Sequence, residues 1–271
     1  MEYPAYSQLR PVTESASVVL CPNPSYAALE GTNSWVIRAA EDEISIIVDP
    51  GPNDEGHLNV LQAKGEKVAL ILLTHRHPDH AEGAERFHQL TGAPVRAFDA
   101  NYCINGEPLV DGEAIALDDL TPQLKVVHTP GHTADSTSFM VYSAEPDSSE
   151  LEGIITGDTI AGRHTTMISE TDGNLSDYLD SLDFLGANGK NVMLLPGHGE
   201  EREDVAAMAR KYIDRRHFRL DQIRKLRAEH GEDISVDELV DQMYQDVDPV
   251  LRDAAAQSTR VALRYLDGAE D

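Results

Sequence analysis

The segment THRHPDH places His75, His77, Asp79 and His80 within six residues. His75 and His77 flank Arg76, and in an extended chain that spacing points both imidazoles to one side. Pro78 then turns the chain and starts a helix, so Asp79 and His80 fall in its first turn. Packing gives a surface loop no reason to collect such groups. Neutral imidazole nitrogens and carboxylate oxygens are good ligands for zinc and similar divalent ions. Three later segments add one group each: TPGHTADS carries His132, TGDT carries Asp158 and LPGHG carries His198. Alone, each of these is a turn with a polar residue in it. Together, the five imidazoles and two carboxylates suffice for two metal ions, provided that the segments meet.

The elements that must bring them together follow from patterning. SASVVLCP, TNSWVIRA, EISIIVDPG, KVALILLTH, PVRAFD, LKVVHTPG, STSFMVYS, GIITGD and NVMLLPGHG are β-branched or apolar runs closed by Gly, Pro or Asp, and they predict strands. DEGHLNVLQAKG, AEGAERFHQLTG and LSDYLDSLDFLG have helical spacing. The last puts Leu175, Tyr178, Leu179, Leu182 and Leu185 on one stripe. Antiparallel-looking meanders precede strand–helix units in each half, which predicts an α/β fold with two sheets inside and helices outside. The polar groups named above all follow the C-terminal end of a strand, the edge at which ligands collect in α/β proteins.

After residue 200 the pattern turns helical. Residues 203–229 predict helix with a break, ISVDELVDQMY offers a capping box from Ser235 to Glu238, and Asp248 with Pro249 opens a last helix. The division expected is a metal-binding domain over 1–202 and a small helical, winged-helix-like domain over 203–271, a unit of the kind that serves as lid, dimer contact or nucleic-acid reader. Eleven of the 22 Lys and Arg residues lie in 210–271, mostly in RKYIDRRHFRLDQIRKLR.

The 271 residues allow one large core plus a smaller module, and the formal net charge is −26, from 48 acidic and 22 basic side chains. Such a field repels polyanions and argues against generic binding to nucleic acid or anionic membrane. Cys21 and Cys103 lack CxxC spacing, so neither a disulfide scaffold nor a thiolate site is expected. The opening MEYPAYSQLRP lacks the basic start and apolar run of a leader, and no apolar stretch approaches the ~18 residues of a membrane span. A soluble cytoplasmic protein, homodimeric, is the expectation.

THRHPDH, PGHT, GDT and PGHG, in this order, resemble the metal motifs of the metallo-β-lactamase superfamily of hydrolases, over about residues 17–200. The resemblance implies the αββα sandwich, with one metal on His75, His77 and His132, the other on Asp79, His80 and His198, and Asp158 bridging them. GTNSW, GAPVRAFD and GDTIAGRHTT, with the helical tail, are similar to the β-lactamase-like protein 2 subgroup, one class of which cleaves single-stranded RNA. Thioesterases, glyoxalase II-type enzymes and lactonases belong to the wider superfamily. Asp158 stands where zinc β-lactamases of the commonest type have cysteine, which argues against penicillin hydrolysis. His77 stands where diiron reductases of this fold have glutamate, which favours two zinc ions, with manganese or iron as alternatives.

Ions held about 3.5 Å apart would share a water and lower its pKa toward neutrality, and the hydroxide would attack a carbonyl carbon or a phosphorus. Asp79 is the candidate to orient that hydroxide, since a carboxylate beside two cations stays ionised. His164 is the candidate proton donor to the leaving group, and Arg163 and Thr165 are candidates for binding substrate. Asn33 is expected to brace a turn near the site. Tyr102 and Cys103 read as structural, and His57, His88, His128, His217 and His230 lack company. A small ester or thioester is the expected substrate, with RNA cleavage as the alternative. A metal-sensing helix-turn-helix regulator is a third reading, but a sensor has no use for seven ligands and an open coordination position.

Overall fold

In a computed structural model that describes residues 6–143, 150–245 and 248–268, eleven strands form two sheets. Residues 1–5, which open the MEYPAYSQLRP segment, lie outside the described residues. The first sheet runs β1 (Leu9–Pro11), β2 (Ala16–Leu20), β3 (Asn33–Ile37), β4 (Ile44–Val48), β5 (Lys67–Leu72) and β6 (Val95–Arg96), in that spatial order. The second holds β7 (Ala114–Ile115), β8 (Gln123–His128), β9 (Thr137–Tyr142), β10 (Leu151–Gly157) and β11 (Met193–Pro196), ordered 11-10-9-8-7. Each begins as an antiparallel meander and ends with parallel pairs, β4–β5–β6 in one and β10–β11 in the other. The parallel crossovers use α1 (Glu55–Gly65), α2 (Pro78–Ala81) with α3 (Ala84–Thr91), and α4 (Leu175–Asn188). The short strands β1 and β7 carry too few residues to show a period, and patterning did not reveal them.

Strand alternation explains the layers. In β4, Ile46 and Val48 point into the core between the sheets, where Trp35, Leu72, Val126, Phe139 and Leu195 meet them. Ile47 points the other way, onto Leu58 and Leu61 of α1 and Phe87 of α3. Both faces of this strand are therefore covered, and its sequence reads as a continuous apolar run. On the far side, Ile154 and Leu194 of the second sheet pack against Tyr178, Leu182 and Leu185 of α4. The stripe expected on α4 is buried at all five positions. This is the αββα arrangement.

The tail departs from expectation in two places. Helix α5 (Val205–His230) is continuous, because it contains neither Gly nor Pro, and it stops at Gly231. Among the described residues the tail consists of α5, α6 (Val236–Met243), a 3-10 turn and α7 (Arg252–Leu266), with no strand to form a wing. The capping box of Ser235 and Glu238 is present. Asp248 caps the 3-10 turn at Pro249–Leu251, and α7 begins after it. Val205 and Tyr212 at the start of α5 share one apolar cluster with Leu182 of α4, and Leu220, Leu239 and Val261 extend it through the tail.

His57 has no neighbour of interest in the sequence, but it has one in the fold. It is 1% exposed on α1, with Nε2 2.8 Å from Ser34 Oγ and a buried Nδ1 that has no partner. Burial lowers its pKa from 6.5 to about 4, against the opposing pull of Asp54. The unfolded chain therefore takes up this proton near pH 6.5 while the folded chain refuses it until about pH 4. The stabilisation it gives is complete above 6.5 and is lost as the pH falls. Between pH 7 and 4.5 the loss is about 2 kcal/mol. Urea unfolding at the two pH values should show a decline shallower by that amount in His57→Gln; equal declines in both chains would refute the assignment.

Candidate metal centre

All seven candidate ligands arise where strands end. β5 runs into His75 and His77, and α2 adds Asp79 and His80. The exits of β8, β10 and β11 supply His132, Asp158 and His198. β8 and β11 both run parallel to β10, so these three exits share one edge of the second sheet. A hydrogen bond of 2.8 Å from Thr137 N to the Thr74 carbonyl brings the two sheets together beside them.

His77 Nδ1 lies 3.0 Å from both His75 Nε2 and His132 Nε2. His80 Nε2 lies 3.1 Å from His198 Nε2, which is 3.2 Å from Asp79 Oδ2. Asp158 stands between the groups, with Oδ1 3.5 Å from His80 Nε2 and 3.4 Å from His198 Nε2, and Oδ2 3.8 Å from His132 Nε2. Three overlapping sets, His75–His77–His132, His75–His80–Asp158 and Asp79–His80–His198, each keep their ligand atoms within 4.8 Å. Four nitrogens placed tetrahedrally around zinc at 2.0–2.1 Å would lie about 3.3 Å apart, close to these separations.

The surroundings fix which nitrogen faces the centre. Nδ1 of His75 bonds Thr74 Oγ1 at 3.0 Å, that of His80 bonds Asp49 Oδ2 at 2.9 Å, that of His132 bonds the Met167 carbonyl at 2.5 Å and that of His198 bonds the Gly31 carbonyl at 3.1 Å. With Nδ1–H turned outward, four rings offer a bare Nε2 inward. Asp158 Oδ1 is buried and has no hydrogen-bond partner in the protein. Nitrogens and carboxylates converging on one point repel one another unless positive charge, as metal ions or as protons, lies among them. The residue set thus fits divalent metal binding.

Electrostatics agree. Burial works against charge on Asp158, but His198 and His80 outweigh it and hold its carboxyl well below the usual range. Burial likewise disfavours charge on His80, but Asp158 and Asp49 overcome this and push its pKa well above normal. For His132, burial dominates and lowers the pKa to about 4. For Asp79, burial is outweighed by the neighbouring His198 and His80, which hold the carboxyl at about 2. Asp79 is one-third exposed and so faces the open side of the centre.

Glycines in the motifs make room. A Cβ at Gly197 would sit 2.7 Å from His80 Cε1 and 2.9 Å from Asp158 Oδ1, inside the ligand cluster. Gly131 has φ +128, and a Cβ there would lie 2.3 Å from the Tyr178 Cα, so only glycine lets the His132 turn pack on α4.

The remaining candidates divide. Asn33 donates to the carbonyls of Pro196 and Gly199, bracing the turn of His198 as expected. Arg163 forms an ion pair with Glu30, so its guanidinium ties the rim to the loop before β3 rather than standing ready as a fork for substrate. His164 is exposed, in left-handed backbone with φ 64, and Thr165 beside it is half-buried. Asp49 was not anticipated, although it ends β4 as the ligands end their own strands. It is buried and also accepts from Thr74 N at 2.8 Å and Thr74 Oγ1 at 2.7 Å.

A family model described as Metallo-beta-lactamase superfamily matches residues 27–198. A protein of Caenorhabditis elegans named Beta-lactamase-like protein 2 homolog is 28% identical, over 97% of this chain and 88% of its own. One of Aspergillus fumigatus named Atrochrysone carboxyl ACP thioesterase is 29% identical, over 76% of this chain and 62% of its own. The crystal structure of a beta-lactamase domain protein from Burkholderia ambifaria aligns with a TM-score of 0.78 at 21% identity, covering 98% of this chain and 90% of the other. That last likeness concerns the fold, helical tail included.

Proposed function

We propose that this chain, which belongs to the metallo-beta-lactamase superfamily and is a metal-dependent hydrolase, cleaves a small ester or thioester with two zinc ions. The observation that carries the reading is Asp158, placed between the triad of His75, His77 and His132 and the triad of Asp79, His80 and His198. Bound there, the ions supply Lewis acidity and a water acidic enough to react near neutral pH. Asp79, ionised and partly open to solvent, accepts a hydrogen bond from the attacking water and aims it. His164 on the rim is the proposed proton donor to the leaving group, with Thr165 beside it in contact with substrate. Arg163 holds the rim in place through Glu30.

A small substrate is favoured over RNA by where the arginines of the tail go. Arg216 turns inward to the Thr166 carbonyl, Arg219 lies 4.3 Å from the centre of the Tyr244 ring and donates to the Met243 carbonyl, and Arg227 pairs with Asp267 at 2.6 Å. Three of the eight basic residues in the run are thus engaged within the protein, and Arg224 and Lys225 stand beside Asp221 and Glu229, which leaves a smaller basic face than the sequence suggests. The relative named as a thioesterase points the same way. No helix among the described residues is long and apolar enough to cross a membrane. Two free cysteines, Cys21 buried and Cys103 half-buried, suit the reducing cytoplasm we propose for it.

Purified protein should contain two zinc ions per chain and hydrolyse an acyl thioester, while leaving a single-stranded oligoribonucleotide intact. Cleavage of the RNA with no thioester turnover would overturn the substrate assignment. A chain that binds no divalent metal would overturn the whole reading.

A further inference from the structure

His132 is held in place from the C-terminal helices. Its Nδ1 bonds the Met167 carbonyl, in the irregular segment between β10 and α4. The residues on both sides of Met167 are gripped by the tail. Arg216 of α5 donates from Nη2 to the Thr166 carbonyl, and Gln257 of α7 donates from Nε2 to the Ile168 carbonyl at 2.8 Å. Further along, Arg260 binds the Glu170 carboxylate and Arg264 donates to the Glu170 carbonyl at 3.0 Å. The segment closes on the metal loop a second time, as Ser169 N donates to the His132 carbonyl at 2.9 Å. The other triad has different supports: Asp49 holds His80 and the Gly31 carbonyl holds His198.

We propose that α5 and α7 act through residues 166–170 as a positioning device for His132, so that the tail sets the metal affinity of the His75–His77–His132 triad and leaves the Asp79–His80–His198 triad unaffected. Arg216 and Gln257 are the positioning residues. A carbonyl anchored on both flanks fixes the ring plane and keeps the proton on Nδ1, which leaves Nε2 free as a ligand. Residues 159–174 have no helix or strand to hold them, so these side-chain bonds, with the burial of Ile168 in the core, place Met167. The tail thereby gains a role in the chemistry without touching substrate. The inference rests on the reading of His132 as a ligand, and its test distinguishes the two.

Full-length Gln257→Leu and Arg216→Met remove one donor each, and Arg216→Lys keeps one. Zinc-loaded proteins are titrated with a chelator in the absence of substrate. In the first two variants, one of the two ions should leave at about 10- to 100-fold lower chelator, with the second unchanged and Arg216→Lys close to wild type. On the metal-free chain, the His132 Nδ1–H proton should exchange with water faster in Gln257→Leu than in wild type, as read by NMR. Both ions loosening together with a lowered melting temperature would reduce the effect to general destabilisation and overturn the proposal. So would unchanged release of both ions. If the wild type binds no zinc, the reading of the ligands fails, and the exchange measurement still decides whether the tail holds the ring.

Discussion

Asp158→Ala is expected to lose both metal ions and about 10³-fold or more in kcat/KM. Asp158 stands between the two triads, with Oδ1 3.5 Å from His80 Nε2 and Oδ2 3.8 Å from His132 Nε2. Removing it would take away the carboxylate within reach of both sites at once. A metal acting as Lewis acid contributes several kcal/mol to the transition state, and each 1.36 kcal/mol is tenfold, so about three decades is a lower estimate. Metal analysis after dialysis and steady-state kinetics on a thioester measure the two losses together. A variant that keeps two ions and its rate would show that Asp158 is not the bridge. His77→Ala should behave differently, because His77 belongs to one triad only. It is expected to release one ion before the other.

Asp49→Asn should weaken both ions by about 10- to 100-fold although Asp49 is in neither triad. Its Oδ2 accepts from His80 Nδ1 directly. It also accepts from Thr74 Oγ1, which in turn lies 3.0 Å from His75 Nδ1, so a proton-donor chain runs from His75 through Thr74 to the same carboxylate. One buried side chain thus orients a ligand in each half of the centre. An asparagine that turns its oxygen to His80 and Thr74 Oγ1 sets its N–H groups against Thr74 N, and the reverse orientation sets them against His80 and Thr74 Oγ1. In both, the negative charge behind the two imidazoles is lost. Chelator titration of the variant should show both release steps shifted, in contrast to the single step expected for Gln257→Leu. A shift confined to one ion would restrict the role of Asp49 to His80.

Much of the centre was legible before folding because its signals are local. His75, His77, Asp79 and His80 lie in one short segment, and the other ligands each follow an apolar run closed by Gly or Pro. Asp49 has the same placement at the end of β4, but it stands alone in DPG and serves through hydrogen bonds, so no spacing marks it. The partners of Arg163 and of the arginines of α5 were not legible, for a different reason. A guanidinium on the surface of an isolated segment looks free, and Glu30, Asp267 or a carbonyl fifty residues away cannot be seen from its neighbours.

What the sequence by itself determined is nine of the eleven strands, the buried stripe of α4, the capping box of Ser235 and Glu238 and the residues able to ligate a metal. These depend on periods of two and 3.6 residues and on side-chain chemistry, which are properties of neighbouring positions. What only the tertiary structure decided is that four strand exits from two sheets meet at one edge, that Asp49 lies behind His75 and His80 alike and that the tail grips the residues on both sides of Met167. Those relations join residues as far apart as His80 and His198. They are set by how Ile46, Phe139 and Leu195 pack the sheets face to face, and that packing is a property of the whole chain.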